Sequence, residues 1–274
     1  MITLFPIVIL IGILQVSKAY VYTEDAAKIS LNLAQASYCV NNTLEWTCPS
    51  CTSDNILVQV IENRGSQSII GVHKPTNAIF VAFRGSENFQ NWINNVKISK
   101  IMPYSSYPDV AVEKRFYESY TYISSEIQEC VLKLSANYNT NNVMITGHSL
   151  GGALAYLYAF DVMINLPKTL IIDSVITFGS PRVGNNLFVN LYNSYVIPSF
   201  RITHYYDIVP HVPEELLGFQ HVSEEVWYNE QNTEYKICAD TESASCSDSC
   251  APLHCTSTSD HINYMGMNMG SGNC

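Results

Sequence analysis

Gly147-His148-Ser149-Leu150-Gly151 is the stretch on which the reading of this chain turns. It follows the apolar run Asn-Val-Met-Ile-Thr at 142–146 and opens a helical pattern over 150–162. A strand, a sharp turn and a helix around G-x-S-x-G is the setting of a nucleophile elbow, which raises a serine hydroxyl at the carboxyl end of a strand. The pentapeptide alone is weak, since about one chain in ten of this size carries it by chance. Its strand and helix flanks, with the further Gly152, lift it well above that level.

Outward from the elbow, strands and helices alternate. Residues 23–40 predict a helix with Ala26, Ile29, Leu33 and Ala36 on one face. Runs at 56–61, 68–73 and 78–83 are β-rich and separated by turn residues, which predicts a hairpin and then a buried strand. The spacing predicts one long helix over 110–134, apolar strands at 142–146 and 170–178, a further strand at 200–206 and a β-rich run at 218–228. Such alternation predicts an α/β fold with a central, mostly parallel sheet flanked by helices on both faces.

The first nineteen residues are an apolar stretch too short for a confident membrane span, with Ser17 and Ala19 at the −3 and −1 positions of a cleavage site. They predict a signal peptide at 1–19, followed by one domain over 20–274 with no internal boundary. Removing them takes away Lys18 and no acid, leaving 13 Lys+Arg against 24 Asp+Glu, a formal charge of −11 in place of −10. An acidic chain without a basic block is a poor partner for nucleic acid or an anionic membrane, while a neutral or zwitterionic lipid surface stays open to it. No later segment suggests a membrane span.

Nine cysteines behind a leader predict a disulfide framework, and the odd number leaves a thiol over, for which Cys130 in its helical pattern is a candidate. Cys48-x-x-Cys51 lacks a second pair at zinc-ribbon spacing, so no metal is expected. Four cysteines in or beside 241–260 turn that Ser- and Thr-rich stretch into a stapled surface loop. Asn41-Asn42-Thr43 is an N-glycosylation sequon.

A serine nucleophile needs a base, and the base an orienting carboxylate, in the order serine, acid, histidine for this layout. His261, loop-borne and near the carboxyl end, fits the base best. His148 adjoins the serine, so its side chain must point elsewhere. Asp207, where a strand meets Ile208-Val209-Pro210, fits the acid, with Asp260 as its rival. The N–H of Leu150 is one oxyanion donor. Phe83-Arg84-Gly85-Ser86, at the end of an earlier strand, supplies the other through Ser86. Phe89, Trp92, Ile93 and Val96 then fall at i, i+3, i+4 and i+7, an amphipathic helix suited to a lid over an apolar cleft.

These residues, with FGSPRVGN (178–185), RITHYYDIVPHVP (201–213), FQHVSEEVWY (219–228) and DHINYMG (260–266), resemble the secreted class 3 lipases, the group typified by fungal triacylglycerol lipases. The resemblance implies an α/β-hydrolase fold and the triad Ser149, Asp207 and His261. It places the oxyanion hole at Ser86 and Leu150, and a lid over 87–95 that carries Phe89, Trp92 and Ile93. It implies a lipid ester substrate met at a lipid–water interface, with no cofactor. It also suggests the bridges Cys39–Cys274 and Cys48–Cys51, and a further one from Cys238 into 246–255. Tyr264 stands where the family often has an aromatic residue soon after its histidine, and FGSPRVGN is expected to be a structural strand-to-helix turn. A phospholipase A1, a soluble esterase and a silent lipid-binding protein are the alternatives. The oligomeric state is left open by the sequence.

Overall fold

Alternate residues of the central strands point to opposite faces, and both faces are buried. In β3 (Ala78–Phe83), Ile79, Val81 and Phe83 join one apolar cluster while Ala78, Phe80 and Ala82 join another. β6 (Asn142–His148) repeats the pattern, with Val143 and Ile145 on the first side and Met144 on the second. A strand with no polar face needs helices on both sides, and that requirement sets the layers. The computed structural model describes residues 20–40, 45–87, 98–222, 224–250 and 254–274.

The sheet has eight strands. An antiparallel hairpin of β1 (Asn55–Asn63) and β2 (Ser66–His73) leads to β3, and β2 pairs antiparallel with β3. From β3 the order continues through β6, β7 (Ile171–Phe178), β8 (Ser199–His204) and β9 (Glu225–Tyr228), all parallel. β10 (Tyr235–Cys238) closes the far edge antiparallel. β4 (Lys100–Ile101) and β5 (Val112–Glu113) form a separate small ribbon.

One face is covered by α1 (Glu24–Cys39), capped by Thr23 Oγ1, which accepts from the Ala26 N–H at 3.3 Å. Ala27, Leu31 and Ala34 of α1 pack toward Ile176, Phe178 and Ile202, and Leu33 and Ala36 toward Ile69, Phe80 and Met144. The opposite face carries α2 (Lys114–Thr121), α3 (Ser124–Tyr138), α4 (Leu150–Asn165) and α5 (Asn186–Ser194). At about 1.5–3 kcal/mol for each large apolar side chain buried, these three clusters dominate the stability of the fold.

The single long helix expected over 110–134 is instead β5, α2 and α3. Glu113 caps α2, its Oε2 accepting from the Phe116 N–H at 2.8 Å. Ile123 then leaves the helical backbone, with φ −126° and ψ −11°. Neither Gly nor Pro marks this break. Phe116, Tyr120, Ile123, Ile127, Val131 and Leu134 are all buried, so the apolar stripe runs unbroken across the interruption. Periodicity reports which face is inside, and here that face continues while the hydrogen-bond ladder does not. The β-rich run expected at 218–228 similarly contributes only β9. Its earlier part bridges Gly184 through Gln220.

Four disulfides are present: Cys39–Cys274, Cys48–Cys51, Cys238–Cys246 and Cys250–Cys255. Cys130 on α3 is a free thiol. Among the described residues no helix is long and apolar enough to cross a membrane. The leader, the sequon and the amphipathic segment with Phe89, Trp92 and Ile93 lie outside the described residues.

Candidate active site

Ser149 stands between the last residue of β6 and the first of α4, at φ 59° and ψ −130°. A non-glycine residue rarely holds that conformation, which costs on the order of 1–3 kcal/mol. The flanking glycines make it feasible. A Cβ on Gly147 would lie 2.3 Å from the Gly151 carbonyl, and one on Gly151 would lie 2.2 Å from the Phe83 carbonyl. Strand, turn and helix therefore close to contact only with hydrogen at both positions. The Ser149 N–H donates to the Phe178 carbonyl at 2.9 Å, which fixes the turn to β7. The side chain is buried, and among the described residues its Oγ has no hydrogen-bond partner. Leaving a buried hydroxyl unpaired costs about 1–3 kcal/mol.

His261 ends α6 (Thr258–His261) and is fully buried. Ser257 caps that turn, its Oγ accepting from the Asp260 N–H at 3.0 Å. The same residue pairs with the segment after β8: the Ser257 N–H donates to the Tyr206 carbonyl at 2.9 Å, and the Ile208 N–H donates to the Ser257 carbonyl at 3.2 Å. That ladder brings Asp207 to His261, whose Nδ1 lies 2.9 Å from Asp207 Oδ2 and 3.1 Å from Oδ1. Asp207 Oδ1 also accepts from the Val209 N–H at 2.8 Å, and Tyr264 Oη donates to Oδ2. Burial, and next the Asp207 charge, push the Tyr264 phenol far above its ordinary range, so it stays protonated and a donor. The rival acid, Asp260, turns away and accepts from the Tyr206 N–H at 3.3 Å.

Ser86, Ser149 and His261 line one cavity of about 220 Å³, together with Tyr38, Ile262 and Ser271. Leu150 opens α4, where helix geometry leaves the N–H without an intrahelical acceptor. The turn that carries Ser86 is tied down by Arg84. Its Nη1 donates to Gln67 Oε1 at 2.9 Å and its Nη2 to the Gly65 carbonyl at 3.1 Å, and Gln67 Nε2 donates in turn to the carbonyls of Ser37 and Val40.

His148, His204 and His221 have structural partners. His148 contacts Tyr38 and the His261 backbone, His204 reaches the carbonyls of Asp260 and Glu230, and His221 Nε2 donates to the Pro210 carbonyl. His211 lies near Cys250 and Cys255, whose sulfurs are tied in a disulfide and hold no thiolate for a metal. The acids Glu215, Glu242 and Asp248 surround buried Arg182, to which Glu242 is bidentate at 2.8 and 3.0 Å. FGSPRVGN holds the turn from β7 to α5, which Asn185 caps, with Gly184 just before it. Tyr264 entered the sequence reading only as an aromatic residue after the histidine. Arg84 and Tyr38 gave no signal there, because their partners are remote in sequence.

An eight-stranded, mostly parallel sheet with a serine on a strained strand–helix turn, and a histidine–aspartate pair at the same edge, is an α/β-hydrolase fold. Residues 80–217 match the lipase (class 3) family, and the chain belongs to that family. It is 34% identical to a lipase of Rhizomucor miehei over 87% of this chain and 67% of that one. It is 31% identical to secreted mono- and diacylglycerol lipase 1 of Fusarium solani over 79% and 68%. The chain spans about half the length of the similar lipases of Rhizopus niveus and Rhizopus oryzae, at 35% identity over 70% of its own length. Among solved structures, the Rhizomucor miehei triacylglyceride lipase superposes with a TM-score of 0.82 at 31% identity, over 90% of this chain and 96% of that one. The lipase of Rhizopus microsporus var. chinensis superposes at 0.83 and 32%, over 90% and 88%.

Proposed function

We propose that this chain is an exported lipase that releases fatty acids from acylglycerols through Ser149, His261 and Asp207. The observation that carries the proposal is the unpaired, strained Ser149 on the cavity it shares with His261, whose far nitrogen is held by Asp207. His261 takes the serine proton as Oγ attacks the ester carbonyl. The developing oxyanion is met by Ser86 and the Leu150 N–H, each donor contributing roughly 3 kcal/mol. Protonated His261 gives its proton to the leaving alcohol, and water, activated by the same ring, frees the acid. Asp207 fixes the tautomer and stabilises the imidazolium. No step calls for a metal or an organic cofactor.

The amphipathic residues Phe89, Trp92 and Ile93 support a lid that meets a lipid–water interface. The family and the names of its relatives support acylglycerols as the substrate class. The apolar leader at 1–19, and relatives named as secreted, support export. The test is fatty-acid release from emulsified triacylglycerol and from phosphatidylcholine vesicles, below and above substrate solubility, with Ser149→Ala alongside. Triacylglycerol turnover that rises when an interface forms and disappears in the variant is the expected result. Release from phospholipid alone reassigns the substrate to phospholipid, and no release from either overturns the proposal.

A further inference from the structure

The residue beside the nucleophile, His148, is buried, and its ring stacks on that of His261 with centroids 4.6 Å apart and an interplanar angle of 29°. The reaction steps above do not use it. Its two nitrogens nevertheless have fixed roles. Nε2 lies 2.7 Å from the His261 carbonyl, and a carbonyl oxygen can only accept, so Nε2 carries a proton. Burial, and then the neighbouring His261, hold the His148 imidazole well below its ordinary range, so the ring is neutral. With Nε2 protonated in a neutral ring, Nδ1 is a bare acceptor. Tyr38 Oη, 2.8 Å away, must therefore donate to it. The Tyr38 oxygen lies against the backbone of Gly85, and burial pushes that phenol well above its usual range, so its proton stays in place.

The direction of both bonds is thus determined, from Tyr38 to His148 and from His148 to the main chain of His261, and the Tyr38 hydroxyl rests against Gly85. One end is Gly85, the residue immediately before Ser86, and the other is the backbone of the base. Gly85 is pressed into this arrangement, since a Cβ there would lie 2.0 Å from Tyr38 Oη and 3.1 Å from Ser149 Cβ.

We propose that Tyr38 and His148 are positioning residues that lock the oxyanion turn and the base to each other across Ser149. The proposal rests on the hydrolase reading above. Each group tolerates one polarity only. A protonated His148 would turn a second N–H toward the Tyr38 hydroxyl, which could then no longer donate to it, and would set a cation against the His261 imidazolium as it forms. The chain therefore supplies a neutral wall beside the base while holding two catalytic segments in register. These segments are 176 positions apart in sequence, since 261 − 85 = 176.

The test is Tyr38→Phe, which keeps the ring and removes the hydroxyl, assayed on a water-soluble ester below its solubility so that no interface contributes. The expected result is a kcat lower by roughly 10- to 100-fold with KM within twofold, and a parallel fall in the rate at which a phosphonate ester, whose adduct places an oxygen in the oxyanion hole, inactivates the enzyme. A kcat within twofold of wild type, or a loss confined to KM with phosphonylation unchanged, overturns the proposal. A second measurement needs no variant. In full-length protein labelled with 15N-histidine, His148 should remain the neutral Nε2–H tautomer from pH 5 to 8. The Nδ1–H tautomer, or titration within that range, overturns it as well. Wild-type hydrolysis that depends on Ser149, seen alongside an unaffected Tyr38→Phe, would sink this inference and leave the hydrolase reading standing.

Discussion

Ser149 and His261 reach the same cavity by contrasting routes. Ser149 sits where a central strand meets a largely buried helix, and its position is set within six residues by Gly147, Gly151 and Gly152 and by two flanking strands. His261 sits on a four-residue helix downstream of a loop stapled by Cys238–Cys246 and Cys250–Cys255, and it is held by a two-bond ladder to the segment after β8. The elbow derives its precision from close packing that cannot yield. The histidine segment derives its precision from cross-links and hydrogen bonds between pieces distant in sequence. Substitution should therefore break the first site abruptly and loosen the second by degrees.

The largest effect should come from Ser149→Ala, which is expected to lower kcat by about 10⁴-fold or more while raising the unfolding midpoint, since the unpaired buried hydroxyl is removed. Stopped assays with denaturation curves on the same preparation check both. Gly151→Ala tests the elbow as packing. Its Cβ would meet the Phe83 carbonyl at 2.2 Å, and because that atom is backbone, the chain itself must move. A loss of more than about 3 kcal/mol in urea unfolding, or no soluble protein, is expected. A variant of wild-type stability would show that the elbow does yield.

On the histidine side the effects should be smaller and separable. Cys39–Cys274 spans 235 positions and Cys250–Cys255 spans five. Loop-closure entropy assigns them about 5 and about 2 kcal/mol. Cys250→Ser with Cys255→Ser should accordingly cost less stability than removing Cys39–Cys274, yet lower kcat severalfold, because it frees the segment leading into His261. Equal loss of activity from the two double variants would erase the distinction. Tyr264→Phe removes one of the donors to Asp207. A kcat about tenfold lower, with a stability loss of roughly 1.5 kcal/mol, is expected.

The smallest effect is a pH dependence of stability. His148 and His221 are buried. Burial, then His261 for the first and Arg201 and Arg182 for the second, keep both rings well below the ordinary histidine range. The unfolded chain therefore takes up protons that the folded chain refuses. This contribution is fully present above the unfolded value of about 6.5 and is lost as pH falls below it. The slope is at most about 1.4 kcal/mol per pH unit for each ring. His221→Gln should flatten the slope between pH 6.5 and 5, and urea midpoints across that range measure it.

Much of this was legible in the sequence because it is local. Apolar, β-rich runs bounded by turn residues located the central strands, and the paired glycines announced the elbow. Interruptions that leave the buried face intact were not legible, as at Ile123, where the stripe continues through the break. Nor was the tie from Gln67 and Arg84 that holds the turn carrying Ser86, since an arginine after a strand looks the same whether it faces solvent or a buried amide. Tyr38 was equally silent. It lies at the end of an apolar helix, and only the arrival of His148 and Gly85 gives its hydroxyl a task.

The sequence by itself determined the family, the sheet with helices on both sides and the candidate groups at 149, 207 and 261, because each depends on spacing within a few residues. Only the tertiary structure decided that Asp207 rather than Asp260 meets His261, that Tyr264 donates to that carboxylate, and which way each hydrogen bond around His148 runs. Those depend on groups brought within 3 Å from distant parts of the chain, where a carbonyl that can only accept fixes the polarity of everything bonded in sequence to it.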